Sequence, residues 1–220
     1  MIAAVVPAYN AAPTLKPLLG ELAHYIAKED IVVVDDGSTD ETGAVAGKAG
    51  VRVIRHDRNR GKGAALRSGF ESIQRQQRYE AVLTIDADLQ HSPKDIPTFL
   101  EAWERGTFDM LIGYRRKIGT GMPLHRMLSN SITSLLVSAR TGRMIKDSQS
   151  GFRLISSSVL SSMVMESEGF EAETEVLIRA ALRGFRIGFV PIATIYSDAG
   201  SHMTHWQTTK KFLSVLLKEY

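Results

Sequence analysis

Asp86-Ala87-Asp88-Leu89-Gln90 puts three oxygen-bearing side chains at alternate positions directly after a short apolar run, residues 81–85. On an extended segment alternate side chains point the same way, so Asp86, Asp88 and Gln90 would present their oxygens together. Hard divalent cations such as Mg²⁺ or Mn²⁺ take such ligands and commonly complete their shell with substrate phosphates. The same residues would also make a solvated turn whose acids cap a helix at Ser92. The strand feeding the motif, and the two further acids Asp35 and Asp36, favour the metal reading. In Asp35-Asp36-Gly37-Ser38 one acid is expected to make the turn, leaving the other to accept hydrogen bonds from a base or ribose. Asn59-Arg60-Gly61-Lys62-Gly63 is glycine-rich but lacks the leading Gly and the Lys-Ser/Thr ending of a Walker A loop. No Gly-x-Gly-x-x-Gly follows the first strand, so a nicotinamide site lacks its signature.

These groups need a common edge, and the pattern of elements supplies one. Apolar runs at residues 3–6, 31–34, 51–54, 81–85 and 110–112 alternate with helix-length amphipathic stretches, the pattern of βαβ units and a mainly parallel α/β sheet. Helices are predicted near residues 14–27, after Ser38 or Thr39 as N-cap, near 64–76, and from Ser92-Pro93 to about 105. Beyond Arg115 helices are expected at 123–138 and 173–183, strands at 151–155 and 186–196 (interrupted by Pro191), and a last helix from about His205. Ligands of open α/β sheets bind at the carboxyl ends of strands. There the sequence places Pro7-Ala8-Tyr9-Asn10, Asp35-Asp36, the 59–63 turn, Asp86–Gln90 and Arg115-Arg116.

The chain has 220 residues, 44% apolar and 23% charged, with 27 basic against 24 acidic side chains and no cysteine. That excludes disordered and collagen-like classes, zinc fingers and thiol catalysis. No apolar run approaches the roughly 18 residues of a membrane span, and the first strand begins without a charged leader, so a soluble or peripheral, cytoplasmic protein is expected. A net charge of +3 is too mild to announce a nucleic-acid binder.

Taken together, residues 5–10, 33–40, 59–63 and 86–90 resemble the family 2 glycosyltransferases of the GT-A fold, and most closely the dolichol- and polyprenyl-phosphate sugar transferases, mannosyltransferases among them. Asp147-Ser148-Gln149-Ser150-Gly151-Phe152-Arg153 and Phe170-Glu171-Ala172-Glu173-Thr174-Glu175 continue the likeness, which covers about residues 2–200. The resemblance implies a single GT-A domain, residues 1–203, followed by an amphipathic C-terminal helix, residues 204–220. It assigns Pro7, Ala8, Tyr9, Asn10 and Asp36 to the nucleotide, with Asn59, Gly61, Lys62 and Gly63. Asp86 and Asp88 hold the sugar nucleotide and its Mg²⁺ or Mn²⁺, with Gln90 as a further ligand. Arg115 falls near the phosphates, and Arg126, Gln149 and Ser150 near the acceptor.

One departure stands out. The Arg and Lys that such mannosyltransferases usually carry after the last strand are missing from Tyr196-Ser197-Asp198-Ala199-Gly200-Ser201-His202, where His202 would either stand in, as a metal ligand or a donor to the diphosphate, or be an exposed loop histidine. The implied reaction is metal-dependent inverting transfer of a hexose from a nucleoside-diphosphate sugar to a polyprenyl or dolichyl phosphate, which as an anion needs no general base. A sugar-hydroxyl acceptor would need one, with Glu173 or Glu175 as the candidate. Both glutamates also suit the acidic first turn of a helix. Residues 114–122, with Gly119, Gly121, Arg115, Arg116, Lys117 and Thr120, are expected to order over a bound substrate. Trp206, Leu213, Leu216 and Leu217 share a helix face that either docks on protein or meets the inner face of a membrane. An oligomer is compatible with all of this. A haloacid dehalogenase-type phosphatase would want its Asp-x-Asp at the first strand, and an RNA binder would rest on Arg52, Arg55, Arg58, Arg60 and Lys62 alone.

Overall fold

A computed structural model describes residues 1–115, 124–193 and 205–220, without the side chains of 124–127 and 205–208. Seven strands form one mixed sheet: β1 (Ile2–Ala8), β2 (Ile31–Asp35), β3 (Arg52–Arg55), β4 (Ala81–Thr84), β5 (Met110–Arg115), β6 (Arg153–Ser156) and β7 (Ile187–Ile192). Their order is β3-β2-β1-β4-β6-β5-β7. Strands β1 to β4 pair parallel, and β6 runs antiparallel between β4 and β5. The sheet is thus less uniformly parallel than the alternation of elements alone implies.

The central strands β1, β2, β4 and β6 are buried on both faces, and alternation sorts their side chains between two cores. Ala3 and Val5 pack with α3 (Lys62–Gln74), α7 (Glu171–Leu182) and α8 (His205–Leu217); Ala4, Val6 and Ala8 pack with α1 (Ala12–Leu22), α2 (Thr42–Lys48) and α4 (Ile96–Glu104). Pro7 sits in a central strand because β4 pairs no further along β1 than Val5, so the missing N–H faces no partner. Pro191 is accommodated by the edge position of β7, which makes 187–192 one strand rather than two.

Several boundaries move for local reasons. Helix α2 starts at Thr42, not at Ser38 or Thr39, because Ser38 donates its amide to Asp35 Oδ1 (2.9 Å) and stays in the turn. Ser92 does cap, but it caps a 3-10 turn, Pro93–Asp95, that precedes α4. The largest correction concerns residues 86–90. Strand β4 ends at Thr84, Leu89 is left-handed (φ 60°), and Asp88 Oδ1 accepts the Gln90 amide at 2.9 Å. The motif is a turn closed by its own carboxylate, not an extended segment with three side chains in line.

Helix α5 (Leu124–Thr141) buries Val137 in the core but otherwise shows mixed polarity. Asn130 and Ser134 are buried, with Ser134 Oγ accepting the Ser148 amide at 3.1 Å, while Leu128, Ile132, Leu135 and Leu136 are exposed. Helix α8 docks on the body, but not by the face the sequence suggested: Leu213 and Leu217 of that face are exposed. Val215 and Leu216 are buried in the core shared with α7, and Arg140 donates to the carbonyls of Leu216 and Lys218, both at 3.1 Å. Lys218 and Arg179 both pair with Glu166, and the Arg179 guanidinium lies 4.3 Å from the centre of the Tyr220 ring. Among the described residues no helix is long and apolar enough to cross a membrane.

Candidate active site

The carboxyl ends of β1, β2 and β3 are tied into one platform by short polar bonds. Asp36 N donates to Ala8 O (2.8 Å), and His56 N to Asp35 O (2.9 Å). Asn10 donates its amide to Ser38 Oγ (3.0 Å) and accepts the Thr39 amide on Oδ1 (2.9 Å), which holds its left-handed backbone in place. Tyr9 is left about half exposed above this platform. Asp35 makes the local turn, as its neighbour Ser38 requires. Asp36 does more than wait for a ligand: it is buried, and it accepts the amides of Arg60 (2.9 Å, Oδ1) and Gly61 (2.8 Å, Oδ2).

Asp36 therefore grips the glycine turn that opens α3. Gly61 has φ 97°, and a Cβ there would lie 2.3 Å from the carbonyl of Glu168. The turn is pressed against the segment before α7, where Gly63 donates to Glu168 O at 2.7 Å. Asn59 remains exposed at its outer edge.

Lys62, the first residue of α3, points inward. Its ammonium lies 2.6 Å from Asp86 Oδ1 and 2.9 Å from Glu173 Oε2. Burial works against its charge, but the two carboxylates outweigh that and raise its pKa, so it stays protonated. Burial likewise opposes the Asp86 charge, yet Lys62 holds that carboxyl below its usual range. Gly151 completes the cluster by omission. A Cβ on it would lie 2.5 Å from Asp86 Oδ2 and 2.9 Å from Glu173 Oε1.

Behind these carboxylates sits Arg153, 1% exposed, with Nε, Nη1 and Nη2 spent on the carbonyls of Ser150 (2.7 Å), Glu173 (2.5 Å) and Ser148 (2.9 Å). Arg115 at the end of β5 donates from Nε and Nη2 to the two oxygens of Asp147, at 2.7 and 2.9 Å. His91 is buried with no partner for Nδ1 among the described residues, and desolvation lowers its pKa to about 4, so the ring is neutral at pH 7. Lys62, Arg115 and Arg153 thus interleave with Asp86, Asp147 and Glu173, three charges of each sign.

Asp88 stands outside this balance. Desolvation, followed by the like charge of Asp86, pushes its carboxyl above the usual range. A carboxylate strained in that way is relieved by an added cation. Among the described residues no three His, Cys, Asp or Glu side chains form a cage for a metal. A Mg²⁺-type ion does not need one, since it is commonly held by one or two carboxylates together with substrate phosphates. The donor set Asp86, Asp88 and Gln90, all oxygen, fits that mode.

Not every sequence expectation converges here. Glu175 is buried away from Asp86, its carboxylate accepting Arg179 Nε (2.8 Å) and the amides of Ser167 (2.8 Å) and Glu166 (3.2 Å). Ser150 is fully buried and accepts the Phe152 amide on Oγ at 3.4 Å, while Gln149 is exposed beside Asp147. Arg126 lies on the first turn of α5, its side chain beyond the described set. His202 and residues 116–122 of the expected covering loop also lie outside the described residues.

Residues 3–165 match the family model described as Glycosyl transferase family 2. The chain belongs to that family. It is 31% identical over 208 residues to the undecaprenyl-phosphate mannosyltransferase of Micrococcus luteus, covering 89% of this chain and 84% of that one. It is 30% identical over 224 residues to the UDP-N-acetylglucosamine–dolichyl-phosphate N-acetylglucosaminyltransferase of Methanococcus voltae, covering 90% and 87%. Glucosyl-3-phosphoglycerate synthase from Mycobacterium tuberculosis, solved with Mg²⁺ and uridine diphosphate, superposes with a TM-score of 0.80 at 20% identity, over 99% of this chain and 78% of that chain. The fold is GT-A and the protein is a glycosyltransferase.

In this family 2 glycosyltransferase, sequence reasoning assigned no role to His56, His91, Asp147 or Arg153. His91 adjoins Gln90 and was open to notice. Asp147 and Arg153 close the two ends of the 147–153 motif, but a strand Arg reads as a solvated side chain until its carbonyl partners are known.

Proposed function

We propose that this enzyme transfers a hexose, with inversion, from a nucleoside-diphosphate sugar to the phosphate of a polyprenyl-type lipid, with Mg²⁺ or Mn²⁺ held by Asp86, Asp88 and Gln90. One observation carries the choice of acceptor. Glu173 is paired with Lys62, and Glu175 with Arg179 and two amides. Both carboxylates expected to deprotonate a hydroxyl are thus already engaged in ion pairs. A phosphate acceptor is an anion before it arrives and needs no such base. The relatives named above as lipid-phosphate sugar transferases point the same way.

In this reaction an acceptor phosphate oxygen forms a bond to the anomeric carbon from the face opposite the leaving group. The bond from that carbon to the nucleoside diphosphate breaks, and its electron pair leaves on the diphosphate. The divalent ion, when bound, neutralises that developing charge. The platform of Tyr9, Asn10 and residues 59–63 seats the nucleotide, and Lys62 keeps Asp86 ionised and aimed at the same edge. Arg115 is held at the end of β5 by both oxygens of Asp147.

A lipid acceptor requires the site to reach a bilayer surface. The apolar side chains of α5 supply a face for that contact: Leu128, Ile132, Leu135 and Leu136 fall within an arc of about 100° at helical spacing. Arg126, expected at the acceptor phosphate, is on the same helix. We assign membrane contact, on the cytoplasmic side, to α5 rather than to the docked α8.

The deciding experiment offers UDP- and GDP-hexoses to the purified full chain with a short polyprenyl phosphate or a sugar acceptor, in Mg²⁺, Mn²⁺ or chelator, and follows nucleoside diphosphate release and glycolipid formation. Metal-dependent glycolipid formation is expected. Turnover only with hydroxyl acceptors, or full turnover in chelator, would overturn the corresponding half of the reading.

A further inference from the structure

His56 follows β3 with its imidazole buried. Its Nδ1 lies 2.6 Å from Asp36 Oδ1 and its Nε2 3.0 Å from Ser68 Oγ on α3. A carboxylate only accepts, so Nδ1 carries a proton and donates it to Asp36, while Nε2 shares a hydrogen bond with the Ser68 hydroxyl. The same carboxylate takes the amides of Arg60 and Gly61. Three segments, the end of β3, the glycine turn and the middle of α3, are therefore joined through one buried acid.

A carboxylate–imidazole–hydroxyl series also occurs in acyl-transfer enzymes. Here Ser68 lies mid-helix, where the surrounding amides are spent on helical hydrogen bonds rather than aimed at an oxyanion. The series ends in a structural anchor, not a nucleophile.

We propose that His56 is a positioning residue of the donor site: by fixing the plane of the Asp36 carboxylate it holds the 59–63 turn in the form that receives a nucleoside diphosphate. This rests on the donor-binding reading above. The two amides, one on each oxygen, fix the carboxylate relative to the turn alone. The third bond, from a ring anchored at its far side by Ser68, fixes carboxylate and turn together relative to β3 and α3. Lys62 departs from the same turn toward Asp86 and Glu173, so a loosened turn reaches the phosphate end of the site as well as the base end.

The test is calorimetric titration of the full chain with UDP and with GDP in excess Mn²⁺, alongside thermal unfolding. In His56→Asn the amide nitrogen can replace Nδ1 and keep the bond to Asp36; in His56→Gln it reaches toward Ser68 and that bond is lost. The Gln variant is expected to bind its nucleotide about tenfold more weakly, the loss of one charge-assisted hydrogen bond, and the Asn variant within about threefold of wild type. Ser68→Ala, which leaves the Asp36 bond in place, should lose about threefold and serves as the reporter if His56→Gln fails to fold. Wild-type affinity in His56→Gln, equal weakness in His56→Asn, or unchanged affinity in Ser68→Ala where the Gln variant is unfolded, would overturn the inference. If the wild type itself bound neither nucleotide, the donor reading would fall first, and the inference with it.

Discussion

The Lys62 ammonium bridges Asp86 at the end of β4 and Glu173 in the first turn of α7, at 2.6 and 2.9 Å. Three elements far apart in sequence meet at one buried cation. Removing it would leave two carboxylates facing each other out of water. Lys62→Met is expected to cost about 3 kcal/mol or more, the usual scale for breaking a buried pair by deleting one partner. Glu173→Gln in the Met background should restore part of the loss, giving a non-additive cycle in urea unfolding. Additive effects would show that the bridge is not a unit.

Asp88 carries an unbalanced charge, and its removal should separate stability from activity. Asp88→Asn relieves repulsion with Asp86 and is expected to leave the thermal midpoint unchanged or slightly raised, while glycosyl transfer falls at least a hundredfold, an electrostatic contribution of the usual size at a site of developing charge. Near-wild-type turnover in this variant would remove Asp88 from the metal site.

The Arg115–Asp147 pair gives a pH signature. Burial opposes the Asp147 charge, but the Arg115 guanidinium on both oxygens outweighs it and holds the carboxyl below its usual range. The folded-state pKa lies under the unfolded value of about 3.9, so the stabilisation is complete above that pH and is lost as pH falls through the folded-state value. Asp147→Asn should lower stability at pH 7 by about 3 kcal/mol and flatten the acid limb of a urea-midpoint profile. An acid limb as steep as that of wild type would contradict the assignment.

The two helix faces predict different phenotypes. Ending the chain at residue 204 removes buried Val215 and Leu216 and the carbonyl partners of Arg140, and should lower the thermal midpoint while binding to anionic liposomes persists. Leu128→Glu with Leu135→Glu should do the reverse, keeping the midpoint and abolishing sedimentation with liposomes. Loss of liposome binding only in the truncated chain would return the membrane contact to α8.

Much of this protein was legible in its residues alone. The alternation of buried runs with amphipathic stretches specified a layered α/β fold, because a strand covered on both faces must be apolar throughout. Asp35-Asp36-Gly37-Ser38, the 59–63 turn and Asp86–Gln90 declared a polar edge, because acids and glycines that follow buried strands have few purely structural uses. The site's internal charge balance was not legible. Whether Lys62 points out to solvent or in toward Asp86 and Glu173 depends on α7 arriving over α3, and nothing local to Lys62 records that arrival. The same holds for Arg153, whose three carbonyl partners come from the Ser148–Ser150 loop and α7. Asp88 bends into its own turn because a short side chain hydrogen-bonds the backbone two residues on, a competition that period-two patterning cannot express. Helix α5 is the plainest case: periodicity locates its apolar face but is blind to direction. The tertiary structure turns Leu128, Ile132, Leu135 and Leu136 outward, while the buried side of α5 joins the core through Val137 and bonds the Ser148 amide through Ser134.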